Sequence, residues 1–345
     1  MKRNVKYIIL FLLLAAVLTG AAFCYRYYHT SVSEEPVSVQ GFKLNTIVQI
    51  TLYDSADRKT AEKALELCDQ YEAIFSRTLE TSELWKLNHR TLPAEDGWYT
   101  LSDELSELVG IGLEYSRLSS GAFDISVAPV SDLWDFTSGD KNLPDSEELT
   151  RALSLVDYRK ITLDGNRIHF ENPEMQLDLG AVAKGYIADR IRDFLIENGV
   201  SSAVINLGGN VLCIGTHPDE TPFKVGIQKP FAERNETLFT LEVSGKSVVS
   251  SGTYERYFEK DGILYHHILD PSTGMPYDNG LTSVTILSDT STQGDALSTV
   301  CFALGLDAGM DLINQTDGAE AIFVTQDGQI HFSDHLEDTV SVSYP

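Results

Sequence analysis

The chain has few cysteines, and this shortage excludes two kinds of small scaffold. Its 345 residues include four cysteines, and no two of them have the Cys-x-x-Cys spacing of a zinc or redox motif. We therefore expect neither a disulfide framework nor a structural zinc site. Cys68 and Cys301 fall on apolar faces of predicted helices, where a thiol behaves as a small hydrophobic side chain.

Basic side chains are also scarce. Lysine and arginine total 26 against 51 aspartates and glutamates, which gives a formal net charge of −25. A surface of this sign repels the phosphate backbone of DNA or RNA, so no nucleic acid is expected among the partners. A phosphorylated small ligand can still bind locally, through a metal ion, a lysine or backbone N–H groups.

Two nucleotide-binding motifs and one fold pattern are missing as well. Neither G-x-x-x-x-G-K-[S/T] nor G-x-G-x-x-G occurs, which excludes a P-loop and a Rossmann dinucleotide site. Hydrophobic periodicity predicts helices over 59–76, 82–88, 102–116, 181–198 and 293–304, and strands over 44–53, 203–207, 211–215, 223–228, 237–243, 247–251, 263–269, 282–288, 319–325 and 329–333. Because regular βαβ alternation is absent, we predict an α+β fold of mainly antiparallel sheets with packed helices.

The N-terminus has the features of a targeting segment. Lys2, Arg3 and Lys6 precede an apolar run from Tyr7 to about Cys24, and a run of roughly 17 residues is the shortest that spans a bilayer. The basic flank is expected to stay in the cytoplasm, so the rest of the chain would be exported.

Three fates are open to this segment: a cleaved signal, a lipoprotein signal ending at Cys24, or an uncleaved anchor. Phe23 stands where a lipoprotein signal has a small residue, which favours the uncleaved anchor. We therefore predict a signal or membrane anchor over 1–24, a polar linker over 25–40, and one domain over 41–340 on the extracytoplasmic face of the cell membrane.

Asp295 and Thr299 are candidates for a metal site. They lie four residues apart in QGDALST (293–299), so they share one face of a predicted helix. A carboxylate and a hydroxyl are hard oxygen ligands that suit Mg²⁺ held together with water and phosphate. The alternative is an aspartate that only complements the helix dipole and a threonine in the core.

Lys184 is a candidate phosphate contact. It lies in LDLGAVAKGYIADRI (177–191), near the start of a predicted helix whose N–H groups can meet an anion. Gly180 and Gly185 would let the backbone approach a ligand closely. The alternative is a lysine that lies along a helix packed through small residues.

Two further stretches combine turns with useful chemistry. INLGGN (205–210) is a strand that ends in two glycines, which form either a simple tight turn or a close approach to a ligand. GAFD (121–124) places a carboxylate after an aromatic ring, which suits a heteroaromatic ligand with a polar edge. A packed turn is the alternative for GAFD.

The run HHILDPSTG (266–274) joins two histidines to a turn. Asp-Pro-Ser-Thr-Gly favours a turn. Side chains alternate along a strand, so His266 and His267 point to opposite faces and only one of them can face a site. An imidazole there could accept a hydroxyl proton, or the histidine could be purely structural.

The order of these motifs is more specific than any one of them. GAFD, LDLGAVAKGY, INLGGN, HHILDPSTGMP and DALST follow one another in an arrangement that resembles the FAD:protein FMN transferases, the ApbE-type flavin transferase family. The resemblance covers roughly residues 40–335. It implies an ApbE/T-fold-like domain and Mg²⁺-dependent transfer of FMN from FAD to a threonine or serine hydroxyl of an acceptor protein, with release of AMP.

The resemblance also implies roles for individual residues. His267 matches the histidine that activates the acceptor hydroxyl. The implied metal ligands are Asp295, Thr299 and a backbone carbonyl near Ala181. The implied FAD-binding positions are Leu44, Thr78, Ala122, Phe123, Asp124, Lys184, Gly208, Gly209 and Leu269.

Two of these positions depart from the family pattern. Leu44-Asn45-Thr46 stands where the family usually has Met-Gly-Thr, and Thr78 stands where a tyrosine or tryptophan often occurs. Both positions commonly touch the flavin ring, so the ring contacts of this chain are expected to differ from the family pattern, whereas the diphosphate half of the site matches it.

A membrane tether fits acceptors that are exported or membrane-bound redox subunits carrying covalent FMN. Two other functions are compatible with the same motifs. One is a Mg²⁺-dependent FAD pyrophosphatase that gives FMN and AMP, with water as the acceptor. The other is a non-catalytic flavin-binding lipoprotein, against which the Asp295/Thr299 pair argues.

Overall fold

Short strands and helices follow one another irregularly in the structure, a computed structural model that describes residues 35–54, 57–136, 141–233 and 236–344. The strands are β1 (Val37–Lys43), β2 (Thr46–Leu52), β3 (Ala94–Glu95), β4 (Trp98–Thr100), β5 (Ile161–Asp164), β6 (Arg167–Phe170), β7 (Ala203–Leu207), β8 (Asn210–Ile214), β9 (Phe223–Gln228), β10 (Thr237–Val243), β11 (Ser247–Gly252), β12 (Tyr257–Lys260), β13 (Ile263–His266), β14 (Leu281–Ser288), β15 (Ala319–Thr325), β16 (Ile330–Phe332) and β17 (Ser341–Ser343). The helices are α1 (Arg58–Phe75), α2 (Glu83–Asn88), α3 (Asp103–Leu118), α4 (Ala128–Ser131), α5 (Ser146–Leu153), α6 (Gly180–Glu197), α7 (Ser291–Leu304), α8 (Leu306–Ile313) and α9 (Leu336–Thr339), with a 3₁₀ turn at Tyr158–Lys160.

An eight-stranded sheet forms the centre of the fold. Its strand order is β1-β2-β7-β8-β11-β14-β15-β16, and every neighbouring pair is antiparallel. Three smaller sheets have the orders β17-β10-β9, β3-β4-β6-β5 and β12-β13. The predicted α+β class with mainly antiparallel sheets is confirmed.

Both faces of the central sheet are covered. Ile205 and Leu207 of β7 point into a core formed with α1 and α6, whereas Val204, which precedes Ile205, packs toward the sheet of β9 and β10. All eight residues of β14 are buried, because helix α7 covers one face of this strand and the apolar side chains of β9 and β10 cover the other. Four of these buried residues carry hydroxyl groups, so coverage on both faces does not make this strand apolar throughout.

The sequence predictions fail mainly at element ends. The strand predicted over 44–53 begins at Thr46, because Leu44 and Asn45 form the turn between β1 and β2 with φ of 52° and 57°. Strand β1 lies partly within the stretch predicted as a linker, and the strand predicted over 263–269 ends at His266. The unpredicted elements also include strands β3 to β6, β12 and β17 and helices α4, α5, α8 and α9; each has eight residues or fewer, which is too short for a secure periodicity.

The predicted anchor over 1–24 lies outside the described residues. Within the described residues, no helix combines the length and the apolar character that a membrane crossing requires.

The cysteines of the described chain are buried. Cys68, Cys213 and Cys301 have free thiols, and burial was predicted for Cys68 and Cys301.

Helices α6 and α7 cross in close contact at Gly185. A Cβ atom on this residue would lie 2.2 Å from the Ser291 carbonyl oxygen, 2.6 Å from the Ser291 carbonyl carbon and 2.7 Å from Asp295 Cβ. Because two of these three nearest atoms belong to the backbone of α7, the helices would have to separate to admit any side chain.

We expect Gly185→Ala to lower the free energy of unfolding by about 1–3 kcal/mol, since overpacking outweighs the gain in helix propensity. Urea unfolding of the purified protein measures this. Gly110→Ala in α3 is the matched control, because its Cβ would meet Leu163 at an ordinary 3.6 Å; this change should be neutral or stabilising. Equal effects of the two substitutions would contradict the close crossing.

Candidate active site

Helices α6 and α7 are joined by two carboxylates, each of which accepts backbone N–H groups of the other helix. Asp189 of α6 accepts hydrogen bonds from the backbone N–H groups of Ser291 (2.9 Å) and Thr292 (2.8 Å), so it caps α7 from outside that helix. In return, Asp295 Oδ2 of α7 accepts a 2.9 Å bond from the N–H of Gly185 in α6. The exchange fixes both helices in register around their crossing point.

The Asp295 carboxylate lies in a strongly polarised environment. The residue is 5% exposed, and burial raises the pKa of its carboxyl group. The Lys184 ammonium and the N–H groups of Lys184 and Gly185 oppose this rise because they favour the ionised form. The Asn210 amide lies beside the carboxylate, yet its Nδ2 atom has no hydrogen-bond partner in the described chain.

Hydroxyl groups gather one turn further along α7. The half-buried Thr299 hydroxyl lies 3.2 Å from Ser251 Oγ of β11, and Ser298 Oγ lies 2.8 Å from the same atom. Ser251 and Ser298 were not predicted. The structure therefore brings the predicted pair Asp295 and Thr299 together with further oxygen donors.

The donor set fits a hard cation that is bound through oxygen. Among the described residues, no group of three or more histidine, cysteine, aspartate or glutamate side chains could hold a metal. An ion beside Asp295 would thus have one carboxylate, hydroxyl and carbonyl oxygens, and positions left for water or phosphate, as Mg²⁺ prefers. Ala181, whose carbonyl is the third predicted ligand, lies in the first turn of α6, one turn before Gly185.

Lys184 connects this site to the histidine segment. Its half-buried ammonium group is electrostatically close to both the Asp295 carboxylate and the His267 imidazole. Within the described part of the chain it forms no ion pair or hydrogen bond of its own. A cation without a partner of its own that interacts with both a carboxylate and an imidazole is suited to an anionic ligand.

The two histidines have different surroundings. His266 is buried; its Nε2 bonds the Tyr277 carbonyl oxygen (2.9 Å), and its Nδ1 accepts the N–H of Ile268 (3.3 Å). Both nitrogens are thus occupied by neutral partners, and burial lowers the pKa of this imidazole. His266 is structural.

His267 has the opposite character. Its Nδ1 atom is buried and has no hydrogen-bond partner. Burial lowers the pKa of His267 to about 3, and the positive charges of Arg256 and Lys184 contribute. The imidazole is therefore neutral at pH 7 and able to accept a proton.

The predicted flavin stretch 122–124 is a packed turn. The Asp124 carboxylate accepts hydrogen bonds from Ser126 N (2.8 Å), Ser126 Oγ (2.6 Å) and Tyr158 N (3.0 Å), so its oxygens hold the turn. Burial raises the pKa of Asp124. Phe123 is buried, and the Ala122 carbonyl oxygen accepts the Tyr277 hydroxyl (2.8 Å), which ties the turn to the histidine segment.

Gly208 and Gly209 form the two-residue turn between β7 and β8, with φ of 68° and 101°. A Cβ on Gly208 would lie 2.1 Å from Thr46 Oγ1, whereas one on Gly209 would meet open space. The tight turn thus explains both glycines, and it places them beside the β1–β2 turn that contains Leu44.

The last two predicted positions lie in loops. Thr78 is exposed in the loop after α1, and its neighbour Arg77 pairs with Asp132 and, at 3.1 Å, with Asp178 just before α6. Asp178 is the main cause that raises the pKa of Arg77. Leu269 is buried in a separate aromatic cluster. The Arg77 bridge and the Asp189 cap were not predicted.

The comparison with known proteins decides the family. The profile of the ApbE family matches residues 44–323. This chain belongs to the ApbE family. It is 37% identical over 288 residues to a FAD:protein FMN transferase of Klebsiella pneumoniae (strain 342), covering 83% of this chain and 88% of that protein. A second such relative, from Treponema pallidum (strain Nichols), is 31% identical over 318 residues, 87% of each chain.

Two solved structures of ApbE proteins share this fold. The crystal structure of the ApbE protein from Thermotoga maritima MSB8 matches with a TM-score of 0.79 at 32% identity, covering 88% of this chain and 99% of that one. The flavinyl transferase ApbE of Pseudomonas stutzeri matches with a TM-score of 0.76 at 28% identity, covering 88% of this chain and 96% of that one. The family resemblance and the fold that it implied are confirmed.

In this ApbE-family chain, Asp189→Ala should lower the free energy of unfolding by roughly 2–4 kcal/mol, because it leaves the N–H groups of Ser291 and Thr292 at the start of α7 unpaired. Denaturant titration tests this. Asp193→Ala on the same helix is the control; Asp193 forms surface ion pairs with Arg190 and Arg192, so its loss should cost less than about 1 kcal/mol. Similar costs for both would disprove the capping role.

Proposed function

We propose that this chain transfers FMN from FAD to a threonine or serine hydroxyl of an acceptor protein and releases AMP. Its relatives from Klebsiella and Treponema are named for that activity. One observation carries the proposal for this chain: the Lys184 ammonium, which has no ion pair or hydrogen bond within the described residues, interacts electrostatically with both the Asp295 carboxylate and the neutral His267 imidazole. Phosphoryl transfer requires these elements, which are charge neutralisation and a proton acceptor on the attacking side.

The reaction balances with the groups present. The acceptor oxygen forms a bond to the phosphorus on the FMN side of the diphosphate, and the P–O bond to AMP breaks. His267 takes the hydroxyl proton, and AMP leaves as an anion. Binding of the negative diphosphate near His267 favours the imidazolium form and so raises the pKa of this group from its low value in the free protein.

We propose that Mg²⁺ is held by Asp295, Thr299 and the main-chain carbonyl of Ala181, with the hydroxyls of Ser251 and Ser298 nearby. When bound, such an ion neutralises charge on the diphosphate and on the departing AMP. Lys184 contributes a second positive charge to the same ligand from the second turn of α6, where the positive end of the helix dipole also favours an anion.

The remaining predicted FAD contacts are proposed as parts of one binding surface. The β1–β2 turn with Leu44 and the Gly208-Gly209 turn are neighbours, and the turn at Asp124 is joined to the segment after His267 through Tyr277. Asp124 acts by holding this turn, because its own oxygens are occupied. Thr78 and Leu269 complete the proposed contacts.

We also propose that the enzyme is tethered to the cell membrane with its catalytic domain outside the cytoplasm. The basic residues Lys2, Arg3 and Lys6 before an apolar run support this arrangement. Acceptors would then be exported or membrane-bound redox subunits, since enzyme and substrate must meet at the same face of the membrane.

Intact mass spectrometry tests the function. The protein is incubated with FAD, with Mg²⁺ or EDTA, and with candidate acceptors, which are purified apo domains of exported redox subunits. A Mg²⁺-dependent gain of one FMN on an acceptor, with AMP in solution, supports the transferase. Free FMN and AMP with every acceptor unlabelled would make the protein a pyrophosphatase, and intact FAD would leave a binding protein.

Asp295→Asn should lower the rate of FMN transfer by at least about a hundredfold, because several kcal/mol of charge stabilisation are lost with the metal. The substitution retains an oxygen that can accept the Gly185 N–H, so the fold should persist. Asp307→Asn, an exposed change in α8, is the control and should have no effect. Unchanged Mg²⁺-dependent transfer by the Asp295 variant would remove this residue from the metal site.

His267→Gln should slow transfer about 10²–10⁴-fold and leave FAD affinity nearly unchanged, as expected for loss of a general base. His266→Gln should instead lower stability, because His266 is buried and fully hydrogen-bonded. Stopped-time transfer assays, FAD titrations and thermal melts separate these outcomes.

The pH profile provides a second test of His267. Its pKa of about 3 in the free protein means that it is already unprotonated well below neutrality. Since kcat/KM for FAD reports the free enzyme, this quantity should show no rise through about pH 6.5, where an unperturbed histidine would lose its proton. A rise centred there would contradict the buried, neutral state.

A further inference from the structure

Phe231, Tyr254 and Tyr257 form an aromatic patch on the surface of the domain. The Phe231 ring lies 5.4 Å from the Tyr257 ring and 6.0 Å from the Tyr254 ring, in edge-on arrangements. Phe231 is 51% exposed and Tyr257 is 39% exposed. Large apolar rings held together at the surface in this way mark a contact site more often than scattered hydrophobic residues do.

The patch adjoins the candidate active site on two sides. Ser251 of β11 lies 3.2 Å from Thr299, and the next residue, Gly252, supports the Tyr254 ring: a Cβ on Gly252 would lie 2.5 Å from that ring. On the other side, the carbonyl oxygen of Arg256, next to Tyr257, accepts the N–H of His267 at 3.2 Å. The aromatic patch therefore bridges the proposed metal site and the proposed base.

The backbone of Phe231 is strained. Its φ of +58° is unusual for a bulky residue, and the ring that this conformation presents is half exposed. Strained backbone of this kind persists where the surrounding structure holds it and often accompanies function. Its ring contacts within the described chain are with Tyr254 and Tyr257, so the fold gains little core packing from it.

We propose that the aromatic patch docks the segment of the acceptor protein that carries the reactive hydroxyl, an inference that rests on the proposed transferase function. A hydroxyl can reach His267 only if the residues on either side of it lie against the surface around His267. Exposed aromatic rings are typical anchors of protein interfaces, whereas a small ligand is usually buried in a cavity. The acceptor segment accordingly carries an apolar side chain within a few residues of its threonine or serine.

Steady-state FMN transfer with Phe231→Ala tests the proposal, with the acceptor domain that the wild-type protein labels as the probe. We expect KM for the acceptor to rise about tenfold, as for loss of an aromatic anchor, while KM for FAD and kcat stay within twofold. Tyr257→Ala should behave alike, and Phe231→Tyr should restore the wild-type value. Ile263→Ala, which truncates an apolar side chain that is 56% exposed at the far end of β13, is the control and should change neither KM.

The outcomes separate the two proposals. If the wild-type protein labels no acceptor, the transferase function fails. If it labels an acceptor but Phe231→Ala and Tyr257→Ala leave the acceptor KM unchanged, the docking role is overturned. A rise in KM for FAD alone would also overturn it, because the patch would then bind the adenine ring of FAD instead of the acceptor.

Discussion

The crossing of α6 and α7 at Gly185 is the constraint on which the candidate site depends. The two helices approach so closely that α6 has a glycine at the contact. Each helix also supplies a carboxylate that accepts backbone N–H groups of the other. Asp295 is thereby held by the backbone of α6, and the Lys184 ammonium of α6 interacts electrostatically with its carboxylate. The site is built before any ligand arrives, which is the condition for electrostatic stabilisation without reorganisation.

The rest of the fold positions a proton acceptor against this helix pair. Strand β11 sets Ser251 next to α7, and the segment after β13 is fixed by the buried His266, whose nitrogens are both occupied. His267 is then left with an unpartnered nitrogen in a positive, desolvated environment. The adjacent histidines thus differ: His266 stabilises the segment, and His267 keeps a nitrogen without a partner.

The sequence predicts the parts of this arrangement that repeat or follow a motif. The long helices and the β-rich strands come from periodicity, so α6, α7 and β7 are placed nearly to the residue, and the motif order leads to the family. It does not predict contacts between distant elements: Asp189 with the start of α7, Arg77 with Asp178, and Ser251 with Thr299 join residues between 48 and 103 positions apart. Among these residues, only Asp189 gives a signal in the sequence, because a charged residue on the apolar face of a predicted helix needs a partner. Phe231 carries no motif, and its strained φ is visible only in three dimensions.

Anomalous diffraction from crystals grown with FAD and Mn²⁺, as a substitute for Mg²⁺, tests the central claim most directly. One strong manganese peak is expected within bonding distance of Asp295 and Thr299, with diphosphate density between that peak and Lys184 and the α6–α7 crossing unchanged. A manganese peak away from Asp295, or a diphosphate bound elsewhere on the domain, would contradict it.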